Sequence, residues 1–290
     1  MTPPHPEDFP MSAVTEPLHT TTIGEGHSTV VWCHGIFGQA KNFTRVAKAL
    51  VARDPRRWRC VLVDLPNHGH SPWTEDLAYP RMATAVAAQI ERISPGRPVH
   101  LLGHSMGGKV AMATTLTHPD LVSSLVVVDI APVRVDLTAR FVPMVEAMRN
   151  LDLDHLENRR QAEGTLTGAV PDPAVRQFLL QNLRHDVHAT GGPRWYWQMN
   201  LEVMADHLGE VGDWPDLAVP AWDGPVLWMG AQDSDYVRGE YTEAMTALFP
   251  RVKRVTVKNS GHWVHSDQPE VFTQVLASFL DLAEAETGAR

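Results

Sequence analysis

Residues 99–116 read VHLLGHSMGGKVAMATTL, and this stretch decides the fold. The apolar run Val99 to Leu102 is typical of a short buried strand, and Val110 to Leu116 has the composition of a helix. Between them, residues 103–107 fit the pattern G-x-S-x-G, whose glycines allow a sharp strand-to-helix turn. The bland alternative is a glycine-rich turn with an idle serine. The strand and helix on either side favour a nucleophile, Ser105, on a tight turn.

Short apolar runs elsewhere in the chain predict the other strands of a parallel sheet. Their apolar residues stand at successive positions, as expected where helices cover both faces of a sheet. Helical spacing at 43–50 and 271–279 predicts flanking helices, and alternation at 18–23 predicts an antiparallel edge strand. The predicted class is α/β, with a mostly parallel central sheet flanked by helices. The runs are Ser28–Cys33, Arg59–Leu65, Ser124–Ile130, Pro225–Met229 and Val252–Val257.

The alternation of strands and helices is interrupted between residues 132 and 222. Helical spacing dominates there, and the composition shifts toward Arg, His, Leu, Met and Trp. We therefore expect residues 18–132 and 223–290 to form the core, and residues 133–222 to form a helical cap over the carboxyl edge of the sheet. Residues 1–17, which are rich in proline, are expected to be a flexible N-terminal extension.

Composition and charge exclude several classes of partner. The formal net charge is −9, which repels nucleic-acid phosphates and anionic membrane surfaces. The N-terminus lacks the features of a signal peptide, and no stretch approaches the ~18 apolar residues that cross a bilayer. Cys33 and Cys60 lie in strand-like runs and read as reduced core residues. These observations predict a soluble, cytoplasmic protein.

A second glycine-containing turn, residues 34–38 (HGIFG), follows the first predicted strand. An acyl-transfer site needs two N–H donors about 3 Å from the developing oxyanion. The backbone amides of Ile36 and Met106 are the candidates for this oxyanion hole, with Phe37 as the alternative to Ile36. A turn that merely caps a helix explains the motif equally well when it is taken alone. Its place ahead of the serine motif favours the functional interpretation.

The candidate general base is His262, in SGHWVH at residues 260–265. This segment follows the last predicted strand, from which a histidine can reach a serine at the same sheet edge. Most of the 15 histidines are expected to be surface or packing residues, and His265 is interpreted as structural.

Two aspartates compete for the role of triad acid. Asp233 follows the predicted strand at 225–229, in the loop where most proteins of this architecture carry their carboxylate. Asp129 ends the strand at 124–130, at the same sheet edge. Either could orient the imidazole and stabilise its charged form, so the residues themselves leave both open.

Aromatic residues suggest where a substrate pocket could lie. The proposed lining is Trp195, Trp197, Met199, Phe178 and Trp263. Core packing within the cap explains Trp195, Trp197, Met199 and Phe178 equally well. No His, Asp or Cys spacing suggests a metal site, and no cofactor is expected.

Taken together, these motifs resemble those of compact α/β-hydrolase esterases, the branch that includes small bacterial acyl esterases and mitochondrial relatives. The resemblance covers about residues 28–282. In that branch the aspartate of the VVDIAPV-like segment is implicated as the acid, which favours Asp129; this chain departs by having Asp233 as well. The segments that carry the resemblance are HGIFGQAKNF at 34–43, VDLPNHGHSP at 63–72, GHSMGGKVAM at 103–112, VVDIAPV at 127–133, VRQFLLQNL at 175–183 and GHWVHSDQPE at 261–270.

The resulting hypothesis is a serine hydrolase that cleaves small carboxylic esters or acyl thioesters through an acyl-enzyme. The family precedent suggests short to medium acyl chains. Cofactor-free perhydrolases and C–C bond hydrolases share the serine and remain alternatives, as does a non-catalytic hydrolase-like binding protein. The expected partner is a small ester or thioester, and homo-oligomerisation is left open.

Overall fold

The computed structural model describes residues 16–188 and 194–288. Nearly all of the predicted N-terminal extension, 1–17, lies outside the described residues. Within them, no helix is long and apolar enough to cross a membrane.

A seven-stranded sheet forms the centre of the fold, in the order β1-β3-β2-β4-β5-β8-β9. Strand β1 is an edge strand antiparallel to β3, and the other neighbours in this sheet are parallel. The predicted parallel sheet and its antiparallel N-terminal strand are both confirmed. The strands are β1 (Thr20–Ile23), β2 (Ser28–Cys33), β3 (Trp58–Val63), β4 (Val99–His104), β5 (Val122–Val128), β8 (Val226–Ala231) and β9 (Val252–Val257).

Helices cover both faces of this sheet because its central strands bury apolar residues on both faces. Alternate residues of one strand point in opposite directions, so Val31 and Cys33 of β2 join one core while Val30 and Trp32 join the other. Helices α2 and α3 contribute to the first core, and α1 and α11 to the second. The helices of this part are α1 (Thr44–Arg53), α2 (Tyr79–Ile93), α3 (Met106–Thr117), α9 (Thr242–Leu248), α10 (Val264–Asp267) and α11 (Pro269–Gly288).

Residues 133–222, which we call the inserted segment, lie between β5 and β8. They contain helices, as predicted, but also an antiparallel pair of strands that the sequence did not predict. The strands read LRHD and RWYW, so neither has the long apolar run or clear alternation that marks a strand. The elements are α4 (Thr138–Arg149), α5 (Arg159–Leu166), α6 (Pro173–Leu180), β6 (Leu183–Asp186), β7 (Arg194–Trp197), α7 (Leu201–Asp206) and α8 (Leu208–Gly212).

Both cysteines are buried and free, which confirms their interpretation as reduced core residues. They lie on neighbouring strands, where Cys60 faces Val30 and Cys33 faces Val63. Burial raises the pKa of each thiol to about 12. Neither thiol is therefore ionised near neutral pH.

Candidate active site

Several candidate residues lie where the parallel strands end. Ile36 follows β2, Ser105 follows β4, Asp129 follows β5 and His262 follows β9. The carboxyl ends of parallel strands meet at one edge of the sheet, which is where ligands bind in open α/β folds. Residues far apart in the chain therefore come together at this edge.

Ser105 occupies a strained backbone position between β4 and α3. Its φ is 54° and its ψ is −124°, values that an L-residue rarely adopts. A Cβ on Gly103 would lie 2.0 Å from the carbonyl oxygen of Gly107, and a Cβ on Gly107 would lie 2.4 Å from the carbonyl oxygens of Cys33 and His34. Both glycines of the motif are therefore required by close backbone approach, as the sequence predicted.

The two predicted oxyanion donors belong to the start of α3 and to the turn that follows β2. Met106 is the first residue of α3, so its N–H belongs to the helix-terminal donors that have no partner within the helix. Ile36 lines the same cavity as Ser105. The structure corrects the prediction of Phe37 as the alternative donor, because its N–H already donates a hydrogen bond to His68 Nε2 at 3.2 Å. Ile36 and Met106 remain as the candidate pair.

Two buried histidines hold the loop that carries Ile36. His34 Nε2 accepts the Leu65 N–H at 3.0 Å, and His68 Nε2 accepts that of Phe37. Their Nδ1 atoms each contact a backbone carbonyl, of Gly35 and Pro66, which they can reach only as donors. Burial lowers the pKa of both, that of His68 to about 3. Both rings are therefore neutral and serve as fixed backbone acceptors.

Neutral buried histidines should make the protein acid-labile. Burial lowers the folded-state pKa of His68 to about 3, against about 6.5 when unfolded, so the unfolded chain binds the proton more readily. We expect the free energy of unfolding to fall as pH drops from about 6.5 toward 3. His68→Gln, whose amide can still accept the Phe37 N–H, should make this slope shallower by up to about 1.4 kcal/mol per pH unit.

Urea unfolding at a series of pH values between 7.5 and 4.5 measures this slope. His188→Gln, at an exposed position, is the matched control and should leave it unchanged. Parallel slopes for wild type and His68→Gln would contradict the assignment of His68 as a neutral buried acceptor.

The imidazole of His262 is hydrogen-bonded to the carboxylate of Asp129. The distance from His262 Nδ1 to Asp129 Oδ2 is 2.7 Å, and the carboxylate is fully buried. Asp129 Oδ1 also accepts the Ala231 N–H at 3.0 Å. Asp233 is exposed, and its backbone N–H donates to the carbonyl of Ser260. Of the two aspartates that the sequence left open, Asp129 is the one placed on the imidazole.

Ser105 and His262 line one cavity. Both belong to the described part of the chain, and the Ser105 hydroxyl makes no hydrogen bond to the His262 imidazole there. Two neighbours hold His262, one through its backbone and one through its ring. His104 Nε2 lies 2.8 Å from the His262 carbonyl oxygen, and the Tyr236 ring packs 4.4 Å from the imidazole, centroid to centroid. Catalytic hydrogen bonds are often long without substrate and tighten when it binds.

His265 is buried against aromatic rings, at 4.8 Å from Phe43 and 5.0 Å from His104 between ring centroids. Burial lowers its pKa to about 3. These contacts agree with the structural role expected of His265.

The cavity holds about 650 Å³ of empty volume, including the space open to solvent at its mouth. Its walls are mostly apolar, and the inserted segment supplies part of them through Phe141, Met144 and Phe178. The predicted lining residues Phe178 and Trp263 are here, with their rings 5.4 Å apart.

The other three predicted pocket residues lie elsewhere. Trp195, Trp197 and Met199 line a separate hollow beside Trp73. Trp197 is buried with its indole N–H on the Met148 carbonyl, and Met199 is fully buried in the core. Their placement in the cavity is therefore a correction, and packing within the inserted segment explains them.

Sequence reasoning missed three neighbours of the site. Ser234 Oγ donates to Asp129 Oδ2 at 2.5 Å, so this oxygen accepts from both serine and imidazole. Tyr236 packs on the imidazole, and Arg140 of α4 donates to the Tyr236 hydroxyl at 3.2 Å. The sequence GAQDSDY at 230–236 placed Ser234 and Tyr236 in a loop at the correct sheet edge, which was the only available signal.

Loss of the Ser234 hydroxyl should weaken the positioning of Asp129. We expect Ser234→Ala to lower kcat for ester hydrolysis about tenfold with little change in KM, as for one charge-assisted hydrogen bond. Ser234→Thr retains a hydroxyl and should keep more of the activity. Steady-state kinetics on p-nitrophenyl butyrate measures both variants, and an unchanged kcat in Ser234→Ala would contradict this role.

Across residues 16–188 and 194–288, no group of three or more His, Cys, Asp or Glu side chains could hold a metal ion.

Residues 28–269 match the family described as "alpha/beta hydrolase fold". The chain is 37% identical over 255 residues to mouse (Mus musculus) "sn-1-specific diacylglycerol lipase ABHD11", covering 87% of this chain and 80% of that protein. It is 30% identical over 260 residues to "Esterase YbfF" of Escherichia coli, covering 88% and 94%.

A solved structure, "Marine microorganism esterase", superposes with a TM-score of 0.84 at 29% identity, covering 91% of this chain and 99% of that one. The names of these relatives agree with the predicted class, a carboxylic ester hydrolase. The predicted α/β-hydrolase fold and the resemblance to esterases of that fold are both confirmed. The chain belongs to the α/β-hydrolase family.

Proposed function

We propose that this protein hydrolyses small carboxylic esters through an acyl-enzyme formed on Ser105, with His262 as general base and Asp129 as the triad acid. The observation that carries the proposal is the hydrogen bond of 2.7 Å between His262 Nδ1 and Asp129 Oδ2, beside the cavity that Ser105 lines. Asp233, exposed and bonded through its backbone, has no part in the proposed triad.

Both halves of the reaction, acylation of the serine and hydrolysis of the acyl-enzyme, need only these residues, the ester and one water. His262 Nε2 takes the hydroxyl proton as Ser105 Oγ attacks the carbonyl carbon, and the amides of Ile36 and Met106 stabilise the oxyanion. Collapse of this intermediate breaks the bond to the alcohol oxygen, which leaves with the proton from His262. A water then attacks the acyl-enzyme by the same route, releasing the acid and restoring the serine.

Asp129 is suited to orient the base. Its carboxylate accepts from His262 Nδ1, which leaves the lone pair of Nε2 for the serine proton. Because the carboxylate is buried and held by the Ala231 amide and the Ser234 hydroxyl, it offers a fixed negative charge to the imidazolium formed in the transition state.

The cavity supports a short to medium acyl chain. Its mostly apolar walls suit a hydrocarbon chain. The inserted segment supplies Phe141, Met144 and Phe178 to these walls, so we propose that it acts as the cap that the sequence predicted. Acyl thioesters need the same chemistry and belong in the same test.

A substrate panel tests this function. We expect the protein to hydrolyse p-nitrophenyl acetate, butyrate and octanoate, with activity lost after treatment with a fluorophosphonate. Butyryl-CoA, followed through release of its thiol, tests the thioester arm. A protein that neither hydrolyses these substrates nor reacts with the fluorophosphonate would contradict the proposal and favour a non-catalytic binding protein.

A further inference from the structure

Arg140 is an unusual member of the cavity lining. The other side chains around the cavity are apolar groups, an amide, the serine and histidines, whereas Arg140 carries a permanent charge. It belongs to α4 of the inserted segment and is exposed. A substrate that enters the cavity can therefore reach its guanidinium.

The guanidinium is held over the site by a neutral partner. Arg140 Nη1 donates to the Tyr236 hydroxyl at 3.2 Å, and its Cζ lies 5.6 Å from the centre of the Tyr236 ring. Burial raises the pKa of the Tyr236 phenol, so its oxygen accepts this bond without a negative charge. The contact positions the arginine but does not neutralise it.

Some of the other arginines of the inserted segment have acidic partners, whereas Arg140, within the described part of the chain, does not. Arg149 pairs with Glu146 and Glu202, and Arg176 pairs with Glu163. Among the residues that the structure describes, no carboxylate lies within 4.0 Å of the Arg140 guanidinium nitrogens. Because a guanidinium has five N–H donors in a planar fork, most of its capacity for an anion is unused.

The position of Arg140 indicates which part of a substrate it would meet. Tyr236 contacts both groups: its hydroxyl accepts from Arg140, and its ring packs on the His262 imidazole with centroids 4.4 Å apart. The imidazole must hand its proton to the departing alcohol oxygen, so the leaving group lies on this side of the reacting carbon. The acyl chain lies on the other side of the ester carbonyl.

We propose that Arg140 selects esters whose leaving group carries an anionic substituent, a carboxylate or a phosphate. This inference rests on the proposed ester hydrolysis and refines its substrate class. The anion would accept N–H bonds from the outer edge of the guanidinium while the Tyr236 hydroxyl holds the inner edge.

A matched pair of esters tests the proposal. The carboxylate probe is 4-carboxyphenyl butyrate and the neutral probe is its methyl ester, 4-(methoxycarbonyl)phenyl butyrate. We expect Arg140→Gln to lower the ratio of kcat/KM for the carboxylate probe to that for the neutral probe about tenfold, as for a partly exposed charge-assisted hydrogen bond. Arg140→Lys keeps the charge without the planar fork of donors, and its ratio should lie between those of wild type and Arg140→Gln.

A third probe, 4-phosphonooxyphenyl butyrate, is the butyrate ester of 4-hydroxyphenyl phosphate and extends the test to a phosphate-bearing leaving group. A tenfold loss with this probe as well as with the carboxylate shows that the guanidinium reads charge; a loss with one of them shows which anion it takes. Arg160→Gln, at an exposed position of α5 that does not line the cavity, is the control of equal charge and should leave every ratio unchanged.

An anion on the acyl side checks the direction. The ratio for p-nitrophenyl hemiglutarate against p-nitrophenyl valerate should not depend on Arg140. The proposal is overturned if Arg140→Gln leaves the leaving-group ratios unchanged, or if it lowers only the acyl-side ratio. If wild type hydrolyses none of these esters, neutral ones included, the proposed function itself fails and the inference falls with it.

Discussion

Replacing Ser105 by alanine is expected to lower kcat/KM for ester hydrolysis about 10⁵- to 10⁶-fold, because the residue that forms the acyl-enzyme is lost. Alanine retains the Cβ, so the strained backbone at φ 54° is no worse than in the native protein. The oxyanion donors and the cavity also remain. Initial rates on p-nitrophenyl butyrate measure the loss.

Ser266→Ala is the matched control for this variant. Its hydroxyl is exposed on α10, close in sequence to His262 but outside the proposed triad, and we expect its activity to stay within about twofold of wild type. Circular dichroism and the thermal midpoint establish that Ser105→Ala is folded. Retention of a tenth or more of the activity in folded Ser105→Ala would refute the role of the serine.

Replacing Asp129 by asparagine should lower kcat about 10⁴-fold, as expected when the imidazole loses its anionic partner and adopts the wrong tautomer. Asparagine is close to isosteric, so the contact of 2.7 Å with His262 can be retained while the charge is removed. Asp233→Asn, at an exposed position, should change kcat by less than about threefold. Steady-state kinetics of the two variants side by side provides the comparison.

The two aspartate variants also separate the alternatives that the sequence left open. A large loss in Asp233→Asn with a small one in Asp129→Asn would transfer the acid to the loop after β8. Small losses in both would contradict an aspartate-assisted base altogether.

The fold could be predicted because its signals are local. Strands buried on both faces carry apolar residues at successive positions, as Leu101 and Leu102 of β4 and residues 125–128 of β5 do. The turn at Ser105 needs glycines at fixed spacing, since a Cβ at Gly103 or Gly107 would meet backbone atoms. Such requirements leave a direct trace in the residues.

The inserted segment was predicted less well because its structure depends on tertiary contacts. Strand β6, LRHD, is short and mostly polar, and only its pairing with β7 makes it a strand. Trp195, Trp197 and Met199 were placed in the substrate pocket because they are large and apolar. That property cannot distinguish a cavity wall from a packed core, and the structure places them beside a separate hollow.

The finer features of the site depend on pairs of residues distant in the chain. The Phe37 amide could not be dismissed as an oxyanion donor without knowing that His68 accepts its N–H. Likewise, Ser234 and Asp129 are 105 residues apart, and no motif links them. Asp129 was favoured over Asp233 only through the resemblance to a family, because both follow strands that end at the same edge.

Joint action of Ser105 and His262 is tested most directly by the rate and position of fluorophosphonate labelling. Peptide mapping by mass spectrometry locates the adduct, and the second-order rate constant at pH 7.5 is compared between wild type and His262→Gln. The account predicts one adduct, on Ser105, formed about 10²- to 10⁴-fold more slowly without the imidazole. An adduct on another residue, or labelling of Ser105 at an undiminished rate in His262→Gln, would contradict it.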